Sequence, residues 1–179
     1  MQWSAHIQGT EGLEGEMLAA VLEGTQAGLE ALGVKGAEMV QENIATPYNG
    51  QPPAVAFGNL EASVVSAFQR EATMCTEIIG VSPAAGADVY AAPVETGSRP
   101  HMPPVSALVP WVQKKFRVES EKQALSIAFA IARRMRTTGT GGHFMFIRAL
   151  ERLQPMSVPI LEHELGAALA AHGFTGGAI

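Results

Sequence analysis

The 179-residue chain has a single cysteine, Cys75, and few charged side chains. One cysteine excludes an internal disulfide and any metal site built from several thiolates, so we expect a reducing compartment, the cytoplasm. Cys75 lies in an apolar stretch, where it is expected to be a small buried hydrophobic residue and not a nucleophile. Charged residues make up 16% of the chain, whereas a typical soluble protein carries about 25%. A surface so poor in charge is expected to be covered partly by other subunits.

Long apolar runs are also missing. A membrane-spanning helix needs about 18–20 apolar residues, and the longest candidates here are broken by Pro, by Gly or by Arg133, Arg134 and Arg136. Residues 1–6 have no basic segment followed by an apolar one, which a secretory signal requires. These absences predict a soluble, intracellular protein.

The motifs of common enzymes are absent as well. The glycine-rich segment 139–142 lacks the Gly-Lys-Ser/Thr that cradles phosphates, and no Gly-x-Ser-x-Gly elbow occurs. His163 is followed four residues later by Ala167, so a zincin-type pair of ligands is incomplete. We therefore expect a protein that is not an enzyme and has no cofactor.

Two other function classes stay open. His101 and His143 both flank loops rich in Gly or Pro, and if they met they would form the start of a metal site in a small metal-dependent hydrolase. The basic stretch from Arg133 to Arg152 suits an accessory protein that binds nucleic acid, although the chain as a whole is acidic. The favoured reading of these arginines is a solvated or protein-contacting face.

Charge is distributed unevenly along the chain. Residues 1–100 hold twelve acidic and three basic residues, a net charge of −9, whereas residues 101–179 hold five acidic and nine basic residues, a net charge of +4. If the two halves present opposite faces, identical subunits pack favourably head to tail, which is the contact that closes into rings. The alternative is that each charge is simply solvated where it stands.

The first half of the chain predicts a helix followed by strands. Apolar residues at helical spacing run from Met17 to Ile44, with a possible break near Gly33, and the Pro-rich and Asn-Gly segment 46–53 ends the helix. The runs 63–73 and 74–82 are rich in β-formers and predict a hairpin with its turn at 71–73. The pattern of residues 83–88 predicts a loop, and that of residues 89–94 predicts a third strand or a helical turn.

The second half predicts helices. One is expected near 107–117, and Ser120 with Gln123 forms a capping box for the next, whose apolar face is Ala124, Leu125, Ala128, Ile131, Ala132 and Met135. A flexible loop follows at 137–142, then a short helix at 144–153 that Pro155 stops, a last helix at 159–171 and a glycine-rich tail. The order of elements predicts an α+β fold. We expect one domain, 1–179, with a helical segment 1–45, an α+β core 46–154 and a C-terminal helix and tail 155–179.

Several segments in the middle of the chain share the order and spacing of motifs in a known family. They are Gly-x-Leu-x-x-Ser at 58–63, Tyr-Ala-x-x-Val-Glu-x-Gly-Ser at 90–98, Arg-Pro-His-Met-Pro-Pro at 99–104, Trp111 within a helix, Ala-Phe-Ala-Ile-Ala-Arg at 128–133 and Phe-Met-Phe at 144–146. Together they resemble the gp-ten-like tail-component family of long-tailed bacteriophages, small tail-completion and head–tail joining proteins. The resemblance covers residues 55–150.

The resemblance implies a long N-terminal helix beside a small twisted antiparallel sheet. It also implies a non-enzymatic subunit of a sixfold homo-oligomeric ring in the neck or head-proximal tail of a virion, assembled in the host cytoplasm with other neck and tail proteins; a tail terminator ring is the alternative. It implies neither membrane binding nor specific nucleic-acid binding, although DNA is able to pass through such a ring.

The residues expected to build the contact surface follow from the same segments. They are Tyr90, Glu95, Arg99, His101, Pro103, Pro104 and Trp111, with the two prolines stiffening an exposed arm and the turn at 95–97 needing a glycine. The alternative is that these residues only shape a loop within one subunit.

Overall fold

The computed structural model describes residues 1–6, 15–54, 58–71, 74–83 and 86–174. Two compact units are present: the first combines residues 1–40, 64–80 and 146–179, and the second combines 41–63 and 81–145. The predicted hairpin turn at 71–73 and the end of the glycine-rich tail lie mostly outside the described residues. The mixed helical and antiparallel architecture confirms the predicted α+β class.

Helix α1, Glu16–Ala45, is continuous. The predicted break near Gly33 is wrong, because the glycines of this helix lie where neighbouring elements come close. Glu77 occupies the space that a side chain at Gly33 would need, and Ile79 does the same at Gly36. The helix ends where predicted: Tyr48 and Gln51 exchange backbone hydrogen bonds of 3.1 and 2.9 Å across a tight turn.

The sheet of the first unit has the order β1-β3-β2. Strands β2, Val64–Glu71, and β3, Met74–Val81, match the two predicted runs. Strand β1, Gln2–His6, was not predicted; it pairs antiparallel with β3, with Gln2 opposite Ile78 and His6 opposite Met74. Cys75 in β3 is 2% exposed and free, as expected of a small buried residue.

Helix α6, Met145–Ala171, contains both Pro155 and Pro159. The predicted stop at Pro155 is therefore wrong. A proline inside a helix costs about 3 kcal/mol because it removes one hydrogen bond and meets a carbonyl. Packing offsets that cost here: Leu153 is fully buried, and the helix beyond the prolines lies directly against glycines of α1.

In the residues that the structure describes, the second unit contains four helices and a two-stranded ribbon. They are α2, Asn59–Ala62, α3, Asp88–Thr96, α4, Val105–Phe116, α5, Glu121–Thr138, and the strands β4, Gly97–Ser98, and β5, Thr140–Gly141. Residues 89–94 form a helix, the second of the two predicted possibilities. Segment 137–142 was predicted as a flexible loop and is instead the end of α5 followed by β5.

Helix α5 begins as the capping box predicted. The Ser120 hydroxyl accepts a hydrogen bond of 3.5 Å from the backbone N–H of Gln123. Ala124 and Ala128 of this helix pack against Val112 of α4, and these three buried residues form the core of the helix pair. Among the described residues, none of the helices combines the length and apolar character that crossing a bilayer requires.

Candidate protein interface

The segments that carry the predicted contact residues meet at β4 and β5. Gly97 pairs with Gly141 and Ser98 with Thr140, and the two hydroxyl oxygens of the second pair are 2.8 Å apart. Two backbone bonds extend the junction: His143 N–H donates to the Val94 carbonyl over 2.8 Å, and Phe144 N–H donates to the Glu95 carbonyl over 2.9 Å. Residues 94–98 and 139–144 are thus held together although they are far apart in the sequence.

Glycine is required at this junction by close approach. Gly97 has φ of 82°, in the region that favours glycine, so the predicted need for a glycine is met. The predicted tight turn at 95–97 is instead the end of helix α3, with Glu95 and Thr96 helical and Gly97 as the C-cap residue. At Gly142 a Cβ atom would lie 2.7 Å from the carbonyl carbon of Thr96. Backbone therefore packs on backbone, and a side chain at Gly142 would separate the two segments.

The predicted contact residues fall into two groups. Tyr90 is 40% exposed on α3, next to Val89, and Arg99 and His101 are exposed in the segment that leads to α4. Pro104, also exposed, is the N-cap residue of α4 and follows the half-buried Pro103. These residues are accessible to a partner, and their contacts with one stay a prediction.

Glu95 and Trp111 are less accessible. Both are half-buried, and the Glu95 carbonyl is used within the β4–β5 junction. The Trp111 ring packs edge-on against Phe116 with centroids 5.9 Å apart, beside the core of α4 and α5. A structural role within the subunit, the alternative reading of these segments, therefore has direct geometric support at these two residues.

The two histidines of the metal hypothesis have different surroundings. The Nδ1 atom of His101 lies 2.9 Å from the Arg99 carbonyl on an exposed segment, whereas His143 is buried. In the described part of the chain, no three or more His, Cys, Asp or Glu residues are grouped as metal ligands.

One residue of the predicted buried face of α5 is exposed. Ala124, Ala128 and Ala132 are fully buried, as predicted, but Leu125 was assigned to the same face and is 48% exposed. Phe129, one turn further, is 54% exposed. Residues four apart lie on one side of a helix, so the i, i+4 spacing of two large apolar residues beside buried alanines is the signal that marks a second apolar stripe.

Cations flank these two apolar side chains. Lys122, Arg133 and Arg136 are exposed and lie within about 100° of one another around the helix, on the side that carries Leu125 and Phe129. We call these five residues the basic α5 stripe. Residues 105–138 hold seven basic and two acidic residues, a net charge of +5, so the stripe belongs to a strongly positive helix pair.

No match to this chain is found among protein-family models, curated proteins or solved structures.

A surface of opposite charge lies on α1. Glu16, Glu23, Glu30 and Glu38 recur seven or eight residues apart on one exposed side of the helix, and Val34 among them is 57% exposed. We call these five residues the acidic α1 face. Helix α1 holds five acidic residues and one basic residue, a net charge of −4.

The acidic α1 face is held by weak surface contacts. Glu23 lies 3.0 Å from the His172 ring, Glu30 accepts from Gln26 over 2.9 Å, and Glu38 lies 3.2 Å from Lys35. Glu23 and Glu30 line an open recess of about 440 Å³, and Arg70 of β2 also lines it. Because exposed pairs of this kind contribute little to stability, these carboxylates remain available to a partner's cations.

Glu77 is a buried carboxyl that sequence reasoning did not single out. It is 1% exposed and packs against Gly33 of α1. Burial raises the pKa of Glu77, a hydrogen bond with Ser66 lowers it, and the charge of Glu30 raises it, with a net increase. Among the described residues, no hydrogen-bond donor reaches its Oε2 atom.

Proposed function

We propose that the chain is a non-enzymatic structural subunit of a bacteriophage neck or tail, which acts in tail completion or head–tail joining by forming a ring with copies of itself. The virion is its final location, and other neck and tail proteins are its further partners. The ring is sixfold in this proposal, as the family resemblance implies.

The observation that carries the proposal is the exposed, basic and apolar surface on α5. Leu125 and Phe129 are about half exposed on a helix whose adjacent face carries three fully buried alanines, Ala124, Ala128 and Ala132. Exposed apolar residues with a polar rim are the usual composition of a protein–protein contact. The low content of charged residues, 16% of the chain, supports the same conclusion.

The separation of charge supports contacts between identical subunits. The first unit holds eleven acidic and four basic residues, a net charge of −7, whereas the second holds six acidic and eight basic residues, a net charge of +2. Surfaces of opposite sign on one chain favour head-to-tail association of copies, which forms closed rings when the rotation between copies closes.

The proposal is tested in two steps. Sedimentation velocity of the purified chain over a wide concentration range is expected to show a discrete assembly of six copies, and electron micrographs of that species are expected to show rings. Mass spectrometry of purified phage particles from the source of the gene is expected to detect the chain in few copies per particle. A chain that stays monomeric and is missing from particles contradicts the proposal.

A second candidate function is nucleic-acid binding, because three exposed arginines of α5, Arg133, Arg134 and Arg136, lie in a helix pair of net charge +5. A gel shift of duplex DNA that disappears as salt rises would support it, since phosphate contacts release counterions.

A further inference from the structure

We propose that the basic α5 stripe of one copy docks on the acidic α1 face of the next copy. This inference rests on the proposed function, ring assembly, and it names the two surfaces that form the contact. Because the surfaces are different parts of the chain, the contact is heterologous and each copy uses both.

The basic α5 stripe has the composition of an interface centre with its rim. Leu125 and Phe129 are 48% and 54% exposed, one helical turn apart, and cations lie at both ends of this pair. Aromatic residues, Phe among them, are enriched at the centre of protein–protein interfaces, and polar groups form the rim. Because Phe129 is exposed to water, its burial by a partner contributes the largest favourable free energy of binding, while the cations select the partner by its charge.

The acidic α1 face matches the stripe in sign and in length. From Lys122 to Arg136 the stripe spans about 21 Å of helix, and from Glu16 to Glu38 the acidic face spans about 33 Å. Val34, 57% exposed, supplies an apolar contact between carboxylates at Glu30 and Glu38. Each surface thus has apolar residues between charges, and the charges are of opposite sign.

A second copy fits these surfaces better than nucleic acid does. Phosphates would contact the cations of the stripe, but they would leave Leu125 and Phe129 exposed to water. The chain has a net charge of −5, and its first unit a net charge of −7, so nucleic acid is repelled by much of the molecule. The same negative charge attracts the +5 helix pair of another copy.

The experiment reverses the charges of each surface in turn. One variant carries Arg133→Glu and Arg136→Glu, and the other carries Glu30→Lys and Glu38→Lys. In either variant alone, like charges face each other, and we expect at least about a tenfold weaker association. In an equimolar mixture, the reversed stripe of the first meets the reversed face of the second, and the native surfaces also meet, so association is expected to return.

Matched controls separate the two surfaces from general charge effects. Arg134 is exposed on the same helix but lies about 140° around it from Phe129, so Arg134→Glu is expected to leave association unchanged. Glu162 is an exposed acidic residue of α6, and Glu162→Lys is likewise expected to leave association unchanged. Far-UV circular dichroism and thermal unfolding check that each variant is folded, and recovery in the mixture is itself evidence of folding.

Sedimentation velocity and native mass spectrometry distinguish the outcomes. Loss of assembly in both variants and its recovery in the mixture support the proposal. If the wild type assembles and both variants assemble equally well, the assignment of these surfaces is overturned while the proposed ring stands. A wild type that stays monomeric, with no association in the mixture, overturns both. The last outcome concerns DNA. If the wild type does not self-associate but shifts duplex DNA in a gel, and the variant with Arg133→Glu and Arg136→Glu does not shift it, the stripe is a nucleic-acid surface and the docking proposal is overturned.

Discussion

Two helix pairs, α1 with α6 and α4 with α5, pack through different small residues. In the first unit, α1 meets α6 through glycines: a Cβ atom at Gly24 would lie 2.7 Å from Leu165 Cα, and one at Gly28 would lie 2.8 Å from Leu161 Cδ2. In the second unit, α4 meets α5 through fully buried alanines, among them Ala124 and Ala128.

The difference shows what each residue type contributes. Glycine costs up to about 1 kcal/mol relative to alanine inside a helix, so it is expected only where atoms of another element come too close for a Cβ atom. Alanine has no such cost, and in the second unit Ala124 and Ala128 pack with Val112. A small residue on a buried helix face therefore indicates close packing, and its type indicates how close.

The largest expected effect comes from filling the glycine contact. Gly24→Leu places a side chain where the α6 backbone lies, and we expect a loss of more than about 3 kcal/mol in the free energy of unfolding. Chemical denaturation followed by far-UV circular dichroism measures it. The control is Gly166→Leu in α6, where nothing lies within 4 Å; this change is expected to be neutral or to stabilise by up to about 1 kcal/mol. Equal losses for both would contradict the role of the close contact.

A smaller effect is expected in the alanine-packed pair. Ala128→Leu overfills a site with 0% exposure, and we expect a loss of about 2 kcal/mol in the free energy of unfolding. Ala130→Leu, on the exposed side of the same helix, is expected to change that free energy by less than about 0.5 kcal/mol. If Ala128→Leu is tolerated as well as Ala130→Leu in the same denaturation experiment, the alanines do not limit the spacing of α4 and α5.

Glu77 is expected to make the stability of the first unit depend on pH. Burial raises its pKa above the ordinary value of 4.5, so the folded chain binds this proton more tightly than the unfolded chain. The stability that this group contributes is fully present below pH 4.5 and is lost as pH rises through the folded pKa. Glu77→Gln is expected to remove this slope and to stabilise the protein at pH 7 by on the order of 1 kcal/mol.

Urea denaturation at a series of pH values tests the role of Glu77. The exposed Glu119 provides the control, because Glu119→Gln leaves the buried carboxyl in place and should keep the wild-type slope. A slope that Glu77→Gln leaves unchanged would assign the pH dependence to other groups.

The smallest expected effect concerns the start of α5. Ser120→Ala removes the N-cap hydrogen bond, and because that bond is long at 3.5 Å, we expect a loss of only about 0.5 kcal/mol in the free energy of unfolding. Thermal unfolding detects it as a small decrease in midpoint. Ser126→Ala, at an exposed position inside the same helix, should cause no decrease.

Local patterns predicted the elements whose causes are local. The helix from Met17 to Ile44, the two strands, the turn at 46–53 and the cap at Ser120 all depend on spacing, turn residues and side-chain chemistry within a few residues. The resemblance to phage tail components and the contacts of Tyr90, Arg99 and His101 stay predictions. These three residues are exposed and so accessible to a partner, whereas Glu95 and Trp111 make contacts within the subunit.

Patterns failed where distant residues decide the outcome. Gly33 and Pro155 both suggest an interruption of a helix when only neighbouring residues are considered, and both lie in continuous helices whose packing offsets the local cost. The segment 137–142 pairs with β4, which is some forty residues earlier in the chain. Leu125 follows the periodicity of a buried face but lies outside it, since alanines one position away fill the contact with α4.

The amino-acid sequence by itself determined the α+β class, the scarcity and uneven distribution of charge, and the elements with a local signal, α1, α4, α5, β2 and β3, because periodicity and charge are properties of the chain alone. Only the tertiary structure decided which small residues meet a neighbour, which carboxyl is buried and which apolar residues remain exposed. These depend on which elements come into contact, and contact between residues far apart in the sequence is set by packing of the whole fold.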